Sequence, residues 1–151
     1  MSIYQYIQAL LSAEMRLVEN YIKMAEYHKT EQGIYYGCQE MASISNDHIK
    51  VLKKEADIYL KSQNGPDNEI MSSFIVDHEA GLDLTSDLHF MWLLTMDAAL
   101  LINILLHASS EESANDDLQL MCNNFERETE KQSQWLMYRI NLAVRRSAVH
   151  A

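Results

Sequence analysis

The chain has 151 residues, of which only four are glycine and one is proline. Average composition would supply about 11 glycines and about 8 prolines. Turn-rich β-sandwiches and barrels and glycine-rich phosphate loops are therefore excluded. The formal net charge of −10 argues against a nucleic-acid partner. The composition predicts one domain built from a few long helices.

The first half of the chain carries two helical patterns. Ser2 and Gln5 have the spacing of a capping box, so the first helix should begin there. Gly33 predicts that this helix ends near residue 30. Apolar residues then recur at helical spacing from Ile34 to the Gly65-Pro66 break, which is the strongest breaker in the sequence. Residues 2–62 are thus predicted to form a helical hairpin.

The second half repeats this organisation after a predicted crossover over residues 63–85, with one short helix possible around 69–76. Ser86 is the predicted N-cap of the third helix, and Ser113 or Asn115 that of the fourth. The fourth helix should end near Arg145 and Arg146, whose charges favour a helix C-terminus. Residues 86–147 form the second predicted hairpin. Two hairpins joined by a long crossover make an all-α four-helix bundle.

Composition also predicts the surroundings of the bundle. The third helix is apolar nearly all round, so we expect a second subunit or the crossover to cover it, and the predicted assembly is a homodimer. Its apolar run from Phe90 to Leu106 is short for a membrane span and contains Asp97 and Asn103, which argues against one. Two cysteines without a CxxC pair fit a cytoplasmic, reducing location.

Polar residues interrupt the apolar stripe of every helix, and their spacing repeats. The first two helices place Glu14, Ser45 and His48 on the stripe. The same spacing recurs in the second half at Asp97, Glu128 and Lys131, with a constant offset of 83 in position number. This repetition predicts an internal duplication of a helical hairpin, with all six side chains facing inward.

The pattern resembles the ferritin-like superfamily, particularly the rubrerythrin-type di-iron carboxylate bundles. In that family each hairpin supplies a Glu from its first helix and a Glu-x-x-His from its second. The resemblance covers the four helices and implies that Glu14, His48 and Glu128 are metal ligands. Asp97 would be a shortened fourth ligand, and Tyr21 a partner beside the site.

Two positions depart from the family pattern. Ser45 stands where a Glu is expected, and Lys131 stands where a His is expected. Serine is a poor metal ligand, and an ammonium group offers no acceptor. The resemblance therefore implies a degenerate site that Ser45 and Lys131 line, binding one iron or manganese ion or no metal.

The charge balance of the predicted site is compatible both with one bound metal ion and with no metal. The predicted site contains three negative charges, on Glu14, Asp97 and Glu128, and one positive charge, on Lys131. Two negative charges are left unmatched, and burying unmatched charge costs several kcal/mol. One divalent cation would balance the set, and so would a protonated His48 together with one protonated carboxyl. The function is predicted to be that of a ferritin-like protein with this degenerate site. The alternatives are an iron- or manganese-dependent oxidoreductase reacting with dioxygen or peroxide, and a non-catalytic bundle that binds a partner or a small ligand.

Overall fold

The computed structural model describes residues 2–61, 83–111 and 116–150, which form four α-helices and no strands. The helices are α1 (Ile3–Tyr27), α2 (Gln32–Lys61), α3 (Leu84–Ser110) and α4 (Asp116–His150). The predicted all-α class with four helices is confirmed. The predicted short helix around 69–76 and the predicted N-caps Ser113 and Asn115 lie outside the described residues.

The predicted capping box at the start of α1 is confirmed. The Ser2 hydroxyl accepts from the backbone N–H of Gln5 at 3.2 Å, and the Gln5 side chain accepts from the Ser2 backbone N–H at 2.7 Å. The helix ends at Tyr27, with His28 as its C-cap. The prediction that Gly33 terminates α1 is wrong, because Gly33 lies in the first turn of α2. The terminating contact is made by His28, whose N–H donates to the carbonyl oxygen of Met24 at 3.0 Å.

The start of the second hairpin also differs from the prediction. Asp83, not Ser86, is the N-cap of α3, and its carboxylate accepts from the Ser86 N–H at 2.8 Å. Residues 83–85 therefore belong to α3 and its cap instead of the predicted crossover. Aspartate and serine both serve as N-caps, and sequence spacing alone did not separate them. The other predicted crossover residues, 63–82, lie outside the described residues.

Contacts between helix ends give the directions of the helices. His28 at the end of α1 meets Asp87 in the first turn of α3, with 2.7 Å between Nε2 and Oδ2. Glu31, just before α2, meets Arg146 near the end of α4 at 3.2 Å. Helices α1 and α3 are therefore antiparallel neighbours, as are α2 and α4. Each helix of one hairpin thus packs against one helix of the other.

The core lies between the four helices. Its largest fully buried side chains are aliphatic or aromatic and come from every helix, including Leu10, Leu52, Leu105 and Leu136. Helix α3 is long and apolar enough to cross a membrane by length and composition, and half of its most apolar window is buried inside the bundle. Two leucines on its outer side, Leu93 and Leu100, are exposed. The predicted homodimer stays a prediction.

Candidate functional site

A layer of polar side chains crosses the apolar core of the bundle. Each helix contributes at least one of them, and all six are at least 98% buried: Glu14, Ser45, His48, Thr95, Thr129 and Gln132. Polar groups removed from water cost free energy unless they are paired. The contacts made by these side chains therefore decide what the layer can do.

His48 lies at the centre of the layer between two carboxylates from different helices. Its Nδ1 is 3.2 Å from Oε1 of Glu14 on α1, and its Nε2 is 3.5 Å from Oε1 of Glu128 on α4. The ring stacks on Phe125, with centroids 3.9 Å apart and planes at 22°. This arrangement holds the imidazole rigidly and leaves each nitrogen facing one acidic group.

The two carboxylates raise the pKa of His48 above its ordinary value. Burial acts in the opposite direction, because it disfavours the charged ring. The hydrogen bond and the negative charge of Glu14, together with Glu128, outweigh burial. The geometry therefore favours an imidazolium bridging Glu14 and Glu128, which we call the carboxylate–imidazolium triad.

A second part of the layer joins α2 to α4. The Gln132 amide nitrogen donates to the carbonyl oxygen of Met41 at 3.0 Å and to the hydroxyl of Ser45 at 2.9 Å. Because one acceptor is a backbone carbonyl, the amide must present its NH₂ group to α2. Ser45 thus accepts a hydrogen bond within the core.

Tyr21 lies two turns beyond Glu14 on α1 and is fully buried. Burial raises the pKa of its phenol, and the neighbouring Thr95 hydroxyl partly offsets that effect. The Thr95 hydroxyl itself donates to the carbonyl oxygen of Met91 at 2.8 Å. Tyr21 therefore stays a neutral phenol.

The structure brings together three of the predicted site residues and separates two others. Glu14, His48 and Glu128 meet, although the Glu128 side chain is 38% exposed. Lys131, predicted to face inward, is exposed, and its neighbour Gln132 occupies the buried position. Asp97 is only half-buried, and no hydrogen bond or ion pair among the described residues joins it to the triad.

The inward placements of Lys131 and Asp97 were wrong for one geometric reason. The predicted offset of 83 between corresponding positions of the two halves does not match the buried positions. Buried positions of α1 recur in α3 at an offset of 81, as Ile7 and Leu88 or Leu17 and Ala98 show. Those of α2 recur in α4 at an offset of 84, giving the buried pairs Ile34/Leu118, Cys38/Cys122, Met41/Phe125, Ser45/Thr129, His48/Gln132 and Leu52/Leu136. A slip of one residue rotates a helical side chain by about 100°. The predicted offset of 83 therefore turned Lys131 inward and Gln132 outward.

The corrected offsets change which core positions of the two halves correspond to each other. Glu14 now corresponds to Thr95, Ser45 to Thr129 and His48 to Gln132. Of these six core positions, only Glu14 and His48 carry a carboxylate or an imidazole. Sequence reasoning missed Thr95, Thr129 and Gln132, although the phase of Leu118, Phe125 and Leu136 along α4 would have located the last two.

These residues do not fit a metal centre as they are arranged. Only Nε2 of His48 and the Glu128 carboxylate could face a common ion, because Nδ1 of His48 faces Glu14; two ligands are fewer than the three protein ligands that catalytic zinc sites use. Across the described ranges, no group of three or more His, Cys, Asp or Glu side chains is arranged to hold a metal ion. The raised pKa of His48 favours a second proton on the ring, and the resulting positive charge balances one of the two carboxylates.

A surface pocket opens between α2 and α4 beside the triad. Its volume is about 320 Å³, and His48 and Glu128 form part of its lining. Eight further residues line the pocket. Four are apolar, namely Val51, Leu120, Met121 and Phe125, and four are polar, namely Asp47, Glu55, Asp117 and Asn124. The sequence did not predict this pocket, because it depends on how far apart α2 and α4 lie.

Close packing of α2 and α4 is found at the other end of the pair. A Cβ atom at Gly37 would overlap the Trp135 ring, and one at Gly33 would overlap the Arg139 guanidinium. Gly33 and Gly37 lie one turn apart on α2, and their lack of a side chain leaves space for Arg139 and Trp135 of α4. Closer to the triad, the Gln132 side chain joins the two helices through Met41 and Ser45, and the pocket opens beyond it at His48.

No protein-family model, no curated protein and no solved structure matches this chain.

Proposed function

We propose that the protein is a non-catalytic four-helix bundle that binds a small molecule in the pocket between α2 and α4. The observation that carries the proposal is the pocket itself, with a volume of about 320 Å³ and His48 in its wall. Ligand pockets commonly have volumes of about 300–1,000 Å³ and combine apolar walls with a few convergent polar groups. Phe125, Met121 and Leu120 supply such a wall on α4.

A ferritin-like ancestry is part of this proposal. It is supported by the antiparallel pairing of α1 with α3 and of α2 with α4, and by the six corresponding core positions. In this account the former ligand layer has become a polar core layer, held together by the hydrogen bonds of Gln132 to Met41 and Ser45 and of His48 to Glu14, and the triad holds a proton. The rigid layer then serves as the inner wall of the ligand pocket.

Blocking the pocket tests the proposal. Asn124 lines the pocket and is exposed, whereas its neighbour Asn123 is exposed and does not line it. A library of small fragments, screened by ¹H–¹³C NMR, should shift the methyl resonances of Val51 and Leu120. Asn124→Trp should abolish these shifts, and Asn123→Trp should preserve them. Absence of any saturable shift in the unmodified protein would overturn the proposal.

Metal analysis separates this proposal from a one-metal site at Glu14, His48 and Glu128. Protein purified without a tag should contain less than about 0.1 equivalent of any transition metal, because a bound ion would have to displace the proton of His48. One equivalent of iron or manganese, lost in Glu14→Gln, would instead support the metal-dependent alternative.

A further inference from the structure

The wall of the pocket between α2 and α4 contains a buried hydrogen-bond donor. The His48 side chain is 1% exposed, and its Nε2 atom has no hydrogen-bond partner among the described residues. Nδ1 of the same ring faces Glu14 at 3.2 Å, and Nε2 faces Glu128 at 3.5 Å. Because each nitrogen faces a carboxylate, which only accepts hydrogen bonds, the geometry favours a proton on both. Nε2 therefore offers an N–H group, and a buried N–H without an acceptor costs free energy.

Glu128 places an acceptor next to this donor. It lines the pocket, and its side chain is 38% exposed. The distance of 3.5 Å between its Oε1 and Nε2 of His48 is longer than that of a good hydrogen bond, so neither atom saturates the other. The inner wall of the pocket thus presents one N–H donor and one carboxylate acceptor side by side.

A ligand group that satisfies both atoms must itself combine an acceptor with a donor. The oxygen and nitrogen of a primary amide lie about 2.2 Å apart, as the lengths of the C=O and C–N bonds require. Two roughly parallel hydrogen bonds can join them to protein atoms that are 3.5 Å apart. A carboxylate would offer no donor to Glu128, and an amidinium would offer no acceptor to Nε2 of His48. The edge of a neutral amide is therefore the complement of this wall.

The charge of the pocket also selects a neutral group. Asp47, Glu55 and Asp117 line the pocket together with Glu128, and no lysine or arginine is among the lining residues. An anionic ligand would be repelled by these carboxylates. A cationic group at the inner wall would instead meet the positively charged ring of His48. A neutral ligand avoids both repulsions.

The rest of the pocket suits an apolar body. Val51 lies one turn from His48 on α2, and Leu120 and Met121 line the pocket from α4. Val51 and Leu120 are exposed by 39% and 60%. A ring or short chain that carries the amide would cover these two side chains and remove apolar surface from water.

We propose that the pocket binds a neutral primary amide or lactam on an apolar body, its carbonyl oxygen accepting from Nε2 of His48 and its N–H donating to Glu128. A lactam belongs to the same class, because its ring holds the carbonyl and the N–H on one side. This inference rests on the proposed small-molecule function and names the chemical class of the ligand.

Four ligands of similar shape test which edge is recognised. Benzamide, benzoate, benzamidine and acetophenone share a phenyl ring and differ in the polar group that it carries. In calorimetric titration at pH 6, benzamide should bind at least about tenfold more tightly than benzoate or benzamidine, because each of these leaves one wall atom without a partner. Acetophenone keeps the acceptor but lacks the donor, so it should also bind about tenfold more weakly.

NMR of the His48 ring tests the inner contact. In protein labelled with ¹⁵N-histidine, benzamide should shift the Nε2–H proton resonance of His48 downfield, because that group gains an acceptor. The Nδ1–H resonance should change little, since Nδ1 faces Glu14 on the other side of the ring. Toluene, which carries no acceptor, should produce no downfield shift of Nε2–H.

A matched pair of variants tests the outer contact. Glu128→Ala removes the acceptor, so the ratio of benzamide affinity to acetophenone affinity should fall from about tenfold to near one. Glu130 is exposed on the same helix and does not line the pocket, so Glu130→Ala should preserve the ratio. A general disturbance of the bundle would weaken both ligands together and leave the ratio unchanged.

The outcomes distinguish the two proposals. If library fragments bind but benzamide is no tighter than benzoate or benzamidine, the amide inference is wrong and the small-molecule function stands. The inference is equally wrong if benzamide binds without moving the Nε2–H resonance of His48, or if its advantage over acetophenone survives Glu128→Ala. If neither these compounds nor the fragment library binds, both proposals fail.

Discussion

Replacing Glu14 by glutamine should reverse the pH dependence of the stability that comes from His48. In the folded protein the raised pKa of His48 stabilises the bundle below the unfolded value of about 6.5, and this stabilisation is lost as pH rises through the folded pKa. Glutamine keeps the shape of Glu14 but removes its charge. Burial then dominates and lowers the pKa of His48, so stability should be lost as pH falls through about 6.5.

The size of the effect follows from the burial of the pair. Breaking a buried ion pair typically costs about 3–5 kcal/mol. The lower end applies here because Glu128 still faces Nε2 at 3.5 Å. A cost of about 3 kcal/mol at pH 6 is a large part of a domain's usual total of about 5–15 kcal/mol. At pH 9, where the ring is closer to neutral, the cost should be smaller.

Urea unfolding of both proteins between pH 5.5 and 9 measures this difference. Subtracting the two profiles removes the contribution of groups that the substitution leaves unchanged. Glu19→Gln is the matched control, because Glu19 lies on the same helix in an exposed ion pair with Lys23 at 3.0 Å and should cost less than about 1 kcal/mol. A cost for Glu14→Gln below about 1 kcal/mol at pH 6, or parallel pH profiles, would refute the bridging role of His48.

Three further predictions concern the offset, the helix packing and the end of α1. The variant S45E/T95E/T129E/Q132H places carboxylates and a histidine at the four core positions other than Glu14 and His48, and it should bind about two equivalents of Co²⁺ in an absorbance titration. Moving the new histidine from position 132 to the exposed position of Lys131 should abolish binding of the second ion. Gly37→Ala should lower the free energy of urea unfolding by about 1–3 kcal/mol, because its Cβ must displace the Trp135 ring. Gly33→Ala should be near neutral, since the end of a flexible arginine can move aside; equal effects would contradict this packing. Asp87→Ala should cost about 1–3 kcal/mol in thermal unfolding by removing the acidic partner of half-buried His28, and a cost below about 0.5 kcal/mol would contradict that contact.

Much of the fold was predictable because α1, α2 and α4 have distinct apolar stripes. The capping box at Ser2 and the inward direction of Glu14, Ser45 and His48 follow from local spacing alone, and the structure confirms them. Helix α3 is different, because apolar residues lie on all of its faces and give no phase. Asp97 was therefore placed inward, although Thr95 and Ala98 hold the buried positions.

The candidate site was predictable only in part, for a related reason. A side chain that breaks an apolar stripe can be located only as accurately as the stripe itself. On α4 an error of one residue exchanged exposed Lys131 for buried Gln132. The pocket lining at Glu55 and Asp117 depends on the separation of two helices far apart in sequence, and no local pattern encodes that distance.

The protonation state of His48 tests the central claim most directly. Long-range ¹H–¹⁵N correlation spectra of the selectively labelled protein report whether each ring nitrogen carries a proton. We predict that both nitrogens are protonated at pH 6 and remain so to a higher pH than in an unperturbed imidazole, and that adding or removing a chelator leaves the spectrum unchanged. A neutral ring with one unprotonated nitrogen, or a His48 signal that changes when a chelator removes a bound ion, would contradict a core in which the His48 imidazolium lies between Glu14 and Glu128.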